Sequence, residues 1–376
     1  MTNYYLAKRL FNGKAILENQ YLSVCDGLIQ SISEEPLSDT YETLEGMLCA
    51  GFVDIQVNGG GGVLFNQAPS LSSIKTISES HAKYGTTAML PTLITDQLPV
   101  MQQAANAISA AIAEETPGIL GVHFEGPHLS LPKKGIHPKN FIRSISDQEL
   151  QVLTRSDLGK VLVTLAPENV PPDVIADLVK QGVLVSLGHS NADHDTTLAA
   201  LEAGASCFTH LFNAMSPLTS REPGMVGTAL LDKRSYVGLI VDFHHVHPIN
   251  CRLTVDCKGT NKVILVTDAM AHVGSEENSF GYMDTTIVRE NGKLTVPDGT
   301  LAGSALDMAS AVRNCNRMLG MNLADALTMA SYTPASFLDL TDQLGSLKAG
   351  KQADMVLLDE QLDVKKTWIK GKLLSQ

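Results

Sequence analysis

The sequence has few cysteines, few basic residues and no long apolar runs, and each of these features marks a common class of protein. Its six cysteines are scattered, with no C-x-x-C pair among them: Cys25, Cys49, Cys207, Cys251, Cys257 and Cys315. This pattern indicates reduced, buried thiols and argues against a disulfide framework or a zinc ribbon. Any metal site must therefore use other ligands.

Basic residues and long apolar runs are also scarce. There are 28 lysines and arginines against 40 acidic residues, a net charge of −12. Nucleic acids and anionic membranes require a basic face, so we expect neither as a partner, whereas an anionic small molecule needs only one local cationic pocket. No stretch approaches the roughly 20 uncharged apolar residues of a membrane span. The N-terminal MTNYYLAKRL lacks the features of a signal peptide, so we expect a cytoplasmic protein.

From residue 51 onward, short apolar runs alternate with amphipathic helical stretches. The apolar runs are 51–58, 86–93, 118–125, 160–167, 183–190, 205–212, 236–243 and 262–269. The helix candidates between them are 71–84, 99–114, 147–154, 172–181, 196–203 and 248–258. Strands that alternate with helices predict a parallel sheet, and eight units close a (β/α)8 TIM-like barrel of the α/β class.

The two ends of the chain have a different pattern. Short strand-like runs occur in both, with no helix between them. We expect the ends to meet as one small β-sandwich domain, formed by residues 1–49 and 340–376. Residues 50–339 then form the barrel domain. Hairpin signals at Asn291-Gly292 and Asp298-Gly299 predict an insertion after the eighth strand.

Polar side chains are predicted at the carboxyl ends of the strands, where such barrels carry their active sites. Glu125, His189 and His210 each end a different strand. Any one of them is as easily a polar strand end bonded to backbone, but the three together favour a catalytic metal site with an open fourth position. Asp268 ends the eighth strand and suits a general base and acid, with a turn or cap residue as the alternative.

Other polar residues have two open interpretations each. A long loop, EGPHLSLPKKGIHPKNF, follows the third strand. His137 within it is either a donor to a carbonyl oxygen over the site or an ordinary loop residue. Arg221 and His245 are candidate anion-binding residues, or else a solvated arginine and a capping histidine. His123, two residues before Glu125, either binds the metal itself or has a supporting or packing role beside it.

A series of specific sequence blocks occurs in order along the chain. They are GFVDIQVNGGGGVLFN, LPTLIT, HFEGPHL, KKGIHPKNF, TLAPE, LGHSNA, THLFNAM, REPG, LVTDAM, GTLAGSALDM and LGSLKAGKQADMVLLD. With these blocks the chain resembles the N-acetylglucosamine-6-phosphate deacetylases of the amidohydrolase superfamily over essentially its whole length. The resemblance implies hydrolysis of the acetamide of N-acetyl-D-glucosamine 6-phosphate to D-glucosamine 6-phosphate and acetate, in amino-sugar catabolism or recycling.

The resemblance also implies roles for particular residues. It implies that Glu125, His189 and His210 bind one divalent metal per subunit. Zn²⁺ is the first candidate for this metal, and Fe²⁺, Co²⁺ and Mn²⁺ are the alternatives. It implies that Asp268 is the general base and acid, and that His137 polarises the acetamide carbonyl.

Further implied contacts concern the phosphorylated amino sugar itself. The substrate-binding residues implied by the resemblance are Gln56, His137, Asn213, Ala214, Arg221, His245, Leu301 and Ala302. Arg221 is implied to reach the phosphate in the neighbouring subunit's active site, which implies a homodimer.

The first barrel strand departs from a pattern common in amidohydrolases. Many of them carry His-x-His there to bind a second metal, whereas this chain has Gln56 and Asn58. An amide oxygen is a poor ligand beside imidazole, so we expect a site with a single metal. The glycines at 59–62 either allow backbone to approach the sugar or form a plain turn.

Two other functions compete with this hypothesis. A deacetylase of the galactosamine-6-phosphate epimer needs the same metal ligands and phosphate contacts. A barrel that only binds a sugar phosphate for regulation needs neither the metal nor Asp268. More distant enzymes such as dihydroorotases are disfavoured, because they use His-x-His and often a carboxylated lysine.

Overall fold

A computed structural model describes residues 1–374 of the chain. Residues 375 and 376, the end of the range assigned to the small domain, lie outside the described residues. Within this range the strands are β1 (Asn3–Phe11), β2 (Ile16–Cys25), β3 (Leu28–Ser33), β4 (Glu42–Ala50), β5 (Phe52–Val57), β6 (Gly59–Gly60), β7 (Val63–Leu64), β8 (Thr86–Ile94), β9 (Gly121–Glu125), β10 (Lys160–Leu165), β11 (Leu184–Leu187), β12 (Cys207–Phe208), β13 (Tyr236–Leu239), β14 (Val263–Leu265), β15 (Ser279–Tyr282), β16 (Thr285–Glu290), β17 (Lys293–Thr295), β18 (Met355–Leu358), β19 (Val364–Ile369) and β20 (Lys372–Leu373).

The helices of the described residues cover much of the barrel. They are α1 (Leu71–Ala82), α2 (Leu98–Ala113), α3 (Asp147–Leu153), α4 (Pro172–Lys180), α5 (His194–Glu202), α6 (Gly224–Leu231), α7 (Pro248–Lys258), α8 (Met308–Arg313), α9 (Leu323–Leu327) and α10 (Thr333–Phe337). Two π-helical turns, Asn314–Met318 and Thr328–Tyr332, continue α8 and α9. Two short 3-10 helices, Leu131–Lys133 and Lys139–Phe141, lie in the loop after β9.

Eight parallel strands form the barrel, in the order β5, β8, β9, β10, β11, β12, β13, β14. A parallel bridge between Val57 and Ala269 joins the first strand to the segment after the last one, which nearly closes the barrel. Each of the eight predicted apolar runs overlaps one of these strands, so the predicted barrel is confirmed. Every residue of β5 and of β8 is buried, as expected for strands covered on both faces.

The two chain ends form a separate seven-stranded mixed sheet, ordered β20, β19, β18, β4, β1, β2, β3. Strand β1 pairs in parallel with β4, and the other pairs are antiparallel. The sheet has its own apolar core, which includes Leu10, Leu48 and Trp368. The expected meeting of the ends is thus confirmed, and the β unit that they form is one continuous hydrogen-bonded sheet.

The six predicted barrel helices correspond to α1, α2, α3, α4, α5 and α7. Helix α6, with the sequence GMVGTALL, was not predicted. Six of its eight residues are buried, so it lacks the polar face that makes an amphipathic helix recognisable in sequence.

The segment after the eighth barrel strand forms a three-stranded antiparallel sheet, which confirms the predicted insertion. Asn291 and Gly292 both have positive φ angles, 51° and 78°, as a tight two-residue hairpin turn requires. Within residues 1–374, no helix combines the length and apolar character that crossing a membrane would need.

Candidate active site

Four polar residues project at the carboxyl end of the barrel. Glu125 is the last residue of β9, and His189, His210 and Asp268 follow β11, β12 and β14 by two or three residues. The last three have positive φ angles of 46°, 34° and 51°. Such conformations are unfavourable for residues other than glycine, and they cluster at functional sites where the surrounding structure imposes them.

Glu125, His189 and His210 form a group that could hold a metal ion, with ligand atoms that all lie within 4.8 Å of one another. Oε1 of Glu125 lies 2.9 Å from Nε2 of His210 and 3.2 Å from Nε2 of His189. The two Nε2 atoms are 3.0 Å apart. Two imidazole lone pairs at this distance repel each other unless a cation or a proton lies between them, so the donor set fits a divalent metal.

Hydrogen bonding prepares His189 for ligation. Its Nδ1 lies 2.8 Å from the carbonyl oxygen of Lys133, which can only accept, so Nδ1 carries the proton. Its Nε2 is therefore free to bind a metal. Burial raises the pKa of Glu125, but its contacts with the imidazoles of His189 and His210 outweigh burial and hold that pKa well below its usual range. The ligand carboxylate is therefore ionised at neutral pH.

Asp268 lies beside this group, and two amide side chains donate hydrogen bonds to its carboxylate. Its Oδ1 accepts hydrogen bonds from Nδ2 of Asn58 at 2.6 Å and from Nε2 of Gln56 at 3.2 Å. Burial, reinforced by the charge of Glu125, raises the pKa of Asp268 to about 6. A carboxylate with a pKa close to neutrality is well matched to accepting and then returning a proton.

The two amides that end β5 act as donors to carboxylates. Besides its bond to Asp268, Nε2 of Gln56 lies 3.3 Å from both Oε1 and Oε2 of Glu125. Gln56 and Asn58 are 2% and 4% exposed. Their NH₂ groups point at the carboxylates, where metal ligands would have to present lone pairs. This arrangement agrees with the expectation that the amides do not bind a second metal.

His137 lies over the metal-binding group. Its ring centroid is 4.3 Å from that of His189, and its Nδ1 lies 2.8 Å from Oγ1 of Thr95. Burial, followed by the nearby His189, holds the pKa of His137 well below its usual value. The side chain is therefore a neutral imidazole at physiological pH.

A cavity of about 220 Å³ opens above these residues. It is lined by Asn58, Ile94, Glu125, Gly135, Ile136, His137, His189, His210, Asn213, Ala214, His245, Asp268, Met270, Thr300, Leu301 and Gly303. Of the predicted substrate contacts, it thus brings together His137, Asn213, Ala214, His245 and Leu301. Gln56 lies beneath the cavity, and Ala302 is fully buried in the apolar cluster behind it.

No lysine or arginine lines this cavity among the described residues. Arg221 is exposed in the segment between β12 and α6 and contributes nothing to the cavity of its own chain. Nδ1 of His245 lies 2.6 Å from Oδ2 of Asp242, which orients its ring at the cavity wall. An anionic ligand in one chain by itself thus meets His245 but no permanently cationic side chain.

The glycines after β5 belong to a small hairpin, in which Gly59 and Gly60 form β6 and Gly61 and Gly62 form the turn to β7. Gly61 and Gly62 donate backbone hydrogen bonds to the carbonyls of Val273 and Ala271. A Cβ at Gly61 would lie 2.3 Å from Oγ of Ser80 on α1. The bare backbone therefore permits close packing of protein on protein, and none of the residues 59–62 lines the cavity.

Two buried polar residues near the site were left open or overlooked in the sequence. His123 is enclosed in the barrel, with Nε2 2.7 Å from Oγ1 of Thr164 and Nδ1 3.3 Å from Oγ1 of Thr92. Thr95, which contacts His137, is not among the predicted site residues. The available signal for Thr95 is a polar residue two positions after the second apolar run, at the same barrel end as Glu125.

Comparisons with known proteins agree with this geometry. A model of the amidohydrolase family matches residues 47–374. The N-acetylgalactosamine-6-phosphate deacetylase of Shewanella sp. (strain ANA-3) is 50% identical, over 98% of this chain and 95% of the relative. The protein of the same name from Escherichia coli O157:H7 is 37% identical over the full length of both chains.

A solved structure is also similar along the whole chain. The N-acetylglucosamine-6-phosphate deacetylase from Pasteurella multocida superposes with a TM-score of 0.96, at 35% identity and with full coverage of both chains. The match to the family model covers most of the sequence, and the relatives cover nearly all of it. The chain therefore belongs to the amidohydrolase family.

Proposed function

We propose that this chain is a metal-dependent deacetylase that hydrolyses the acetamide of an N-acetylated amino-sugar 6-phosphate, with N-acetyl-D-glucosamine 6-phosphate as the first candidate. The products are D-glucosamine 6-phosphate and acetate. One observation carries the proposal: Glu125, His189 and His210 converge within 4.8 Å beside Asp268, on the wall of one cavity. The sequence resemblance, the named relatives and the Pasteurella multocida structure support the same substrate class.

Glu125, His189 and His210 would hold the metal. Zn²⁺ fits this set because it accepts one carboxylate and two imidazoles and leaves a further position open, and Fe²⁺, Co²⁺ and Mn²⁺ are the alternatives. When bound, such a metal supplies Lewis-acid polarisation and lowers the pKa of water. One ion per subunit is proposed, because the amides of Gln56 and Asn58 present donors to the carboxylates.

Two side chains carry out the proton transfer and stabilise the charge on the acetamide oxygen. Asp268 accepts a proton from the attacking water and then returns it to the nitrogen of the breaking C–N bond, so that the amine does not leave as an anion. His137 donates a hydrogen bond to the acetamide oxygen as negative charge develops there. Catalysis is thus assigned to residues 50–339, with the small domain of residues 1–49 and 340–376 as its support.

The phosphate is proposed to be bound by His245 and by Arg221 of the neighbouring subunit. Arg221 is exposed, makes no ion pair within residues 1–374, and lies outside its own cavity. The proposal therefore includes a homodimer, in which remote binding of the phosphate orients the acetamide. It also includes a cytoplasmic location, because a charged sugar phosphate does not cross a membrane unaided.

N-Acetyl-D-galactosamine 6-phosphate is the second candidate substrate. The observation that favours it is the 50% identity with the Shewanella protein, which is higher than the 35% identity with the Pasteurella multocida protein. The two sugars differ only in the orientation of the 4-hydroxyl. The proposed metal ligands and phosphate contacts are the same for both.

The experiment that tests the function is acetate release from the two N-acetylhexosamine 6-phosphates and from unphosphorylated N-acetylglucosamine. Metal content is determined on the same sample. We expect turnover that depends on the phosphate, with about one metal per chain. The ratio of kcat/KM for the two phosphorylated sugars then decides between the epimers.

Other outcomes would change the proposal in distinct ways. Two metals per chain would contradict the single-metal site even with full activity. A metal-replete protein that binds the sugar phosphates without releasing acetate would favour the regulatory binding barrel. Equal turnover of the unphosphorylated sugar would contradict the proposed phosphate contacts.

A further inference from the structure

Within residues 1–374, Thr95 provides the hydrogen-bond partners of the His137 ring. It is 1% exposed and follows the last residue of β8. Nδ1 of His137 lies 2.8 Å from Oγ1 of Thr95 and 3.3 Å from its backbone nitrogen. We propose that Thr95 is a positioning residue, which keeps Nδ1 of His137 as an acceptor and leaves the ring proton on Nε2, where it can be donated to the substrate carbonyl. This inference rests on the proposed deacetylase function.

The backbone contact determines the direction of these bonds. A backbone N–H can only donate, so Nδ1 of His137 must present a lone pair to Thr95. The hydroxyl of Thr95 is ambiguous by itself, because Oγ1 also lies 3.4 Å from the carbonyl oxygen of Glu125. If Nδ1 were protonated, its hydrogen would point at the N–H of Thr95. The 2.8 Å bond therefore runs from the hydroxyl to Nδ1.

A neutral imidazole with an unprotonated Nδ1 carries its single proton on Nε2. The backbone N–H of Thr95 faces Nδ1 of His137 at 3.3 Å, which excludes the imidazolium form, because that form carries a proton on both nitrogens. His137 lines the cavity, and its Nε2 makes no hydrogen bond with the residues that the structure describes. The Nε2 proton is thus available to a carbonyl oxygen bound beside the metal ligands.

The surrounding loop holds this pair in place. Arg143, at the end of the loop that carries His137, donates from Nη1 to the carbonyl oxygen of Asp96 at 2.9 Å. The loop is thus tied to the end of β8 at two adjacent residues, Thr95 and Asp96. Gly126 has a φ angle of 88°, and a Cβ there would lie 2.2 Å from Oγ1 of Thr95. Position 126 therefore leaves space for the hydroxyl that contacts His137.

The kinetic test compares Thr95→Val, which loses the hydroxyl and keeps the backbone N–H, with Thr95→Ser, which keeps both. We expect Thr95→Val to lower kcat by about 10- to 100-fold, the range found when the partner that orients a functional histidine is lost. KM should change little, and Thr95→Ser should retain most of the activity. Thr87→Val is the matched control, because Thr87 is buried in β8, the strand that Thr95 follows, and its hydroxyl has no partner within residues 1–374.

A double variant separates positioning from general stability. In a His137→Asn background, Thr95→Val should lower kcat by less than about twofold further, since the hydroxyl acts through the missing imidazole. An equal loss of kcat in both backgrounds would overturn the inference, and so would an unchanged kcat in Thr95→Val alone.

The tautomer is measured independently of turnover. In metal-loaded protein labelled with ¹⁵N-histidine, the His137 ring signals are identified by their absence from the His137→Asn spectrum. We expect the proton on Nε2 in the wild type, and a proton on Nδ1 would overturn the inference. This spectrum remains decisive even if neither sugar phosphate is hydrolysed, so a failure of the inference can be told from a failure of the proposed function.

Discussion

Nδ2 of Asn58 donates a 2.6 Å hydrogen bond to Oδ1 of Asp268, and this bond joins the end of the first barrel strand to the segment that follows the last one. The backbone supports the same junction, because the N–H of Asp268 donates to the carbonyl of Gln56 at 3.0 Å. Asp268 is thus fixed where the barrel closes. Its carboxylate cannot turn away without losing bonds from both amide side chains.

These contacts assign a role to the amides of Gln56, in β5, and of Asn58, directly after it. A second metal at this position would neutralise the carboxylates of Glu125 and Asp268 with its charge. Here the NH₂ groups of Gln56 and Asn58 provide hydrogen bonds to the same two carboxylates. Two neutral donors stabilise ionised carboxylates more weakly than a divalent cation does, so Asp268 keeps a pKa suited to proton transfer.

The first prediction concerns Asp268→Asn. We expect this variant to keep its metal, because Asp268 is not among the three ligands, and to lose about 100-fold or more of kcat through loss of the proton acceptor. Acetate release and metal content are measured on the same preparation. Substantial turnover by a metal-replete variant would contradict the role of Asp268.

The second prediction concerns the pH profile of Asn58→Ala. Asp268 must be ionised to accept a proton, so kcat/KM falls as the pH drops through its pKa. The bond from Asn58 lowers that pKa, and its loss raises it. The acid limb of the profile should therefore move upward by about one pH unit, equivalent to about 1.4 kcal/mol. An unmoved acid limb with unchanged metal content would show that the bond does not tune Asp268.

The third prediction concerns Arg221→Ala. We expect a higher KM for the phosphorylated sugar and little change for the unphosphorylated one, because only the phosphate contact is lost. Arg234→Ala is the control, since Arg234 is an exposed arginine just before β13, at the opposite end of the barrel.

Mixed dimers test whether Arg221 acts in the active site of the neighbouring subunit. A dimer of one Arg221→Ala chain and one Asp268→Asn chain contains a single site with both an intact Asp268 and an intact Arg221 from its neighbour. Mixing the two variants should therefore restore turnover at low substrate concentration. Activity equal to the sum of the separate variants would mean that Arg221 acts in its own chain or not at all.

The fourth prediction concerns Asp54, which is completely buried in β5 below the site. Its Oδ2 accepts a 2.5 Å hydrogen bond from Oγ1 of Thr267. Burial raises its pKa to about 7. Between the unfolded value near 4 and this folded value, the native state binds more protons than the unfolded state, so this residue lowers stability as the pH rises.

Asp54→Asn removes that titration. The free energy of unfolding of the variant, relative to wild type, should increase between pH 4 and 7 by up to about 1.4 kcal/mol per pH unit. Urea unfolding of both proteins at several pH values measures the difference. A constant difference over this range would mean that Asp54 does not titrate with a raised pKa.

Much of the fold was predictable because barrel strands are apolar and barrel helices are amphipathic. Alternation of the two revealed all eight strands, and the predicted helix at 248–258 coincides with α7. Helix α6 was not predicted, because it is apolar on nearly every side and has no amphipathic pattern. The main site residues were predictable for a related reason: Glu125, His189, His210 and Asp268 are polar residues at or near the ends of apolar runs.

Other features depend on contacts between distant segments. Thr95 and His137 are 42 residues apart, and Asn58 and Asp268 are 210 apart. No local pattern indicates that such side chains meet. The packing of 59–62 against Ser80 and Val273 likewise became visible only in the folded chain.

The sequence by itself determined the barrel, the strand ends that carry the site and the absence of His-x-His on the first strand, because each follows from residue type and local spacing. Only the tertiary structure decided which atoms face one another: the amides of Gln56 and Asn58 as donors, Nδ1 of His137 against Thr95, and Arg221 outside its own cavity. The physical reason is that hydrogen-bond direction and protonation depend on partners that barrel closure brings together from remote parts of the chain.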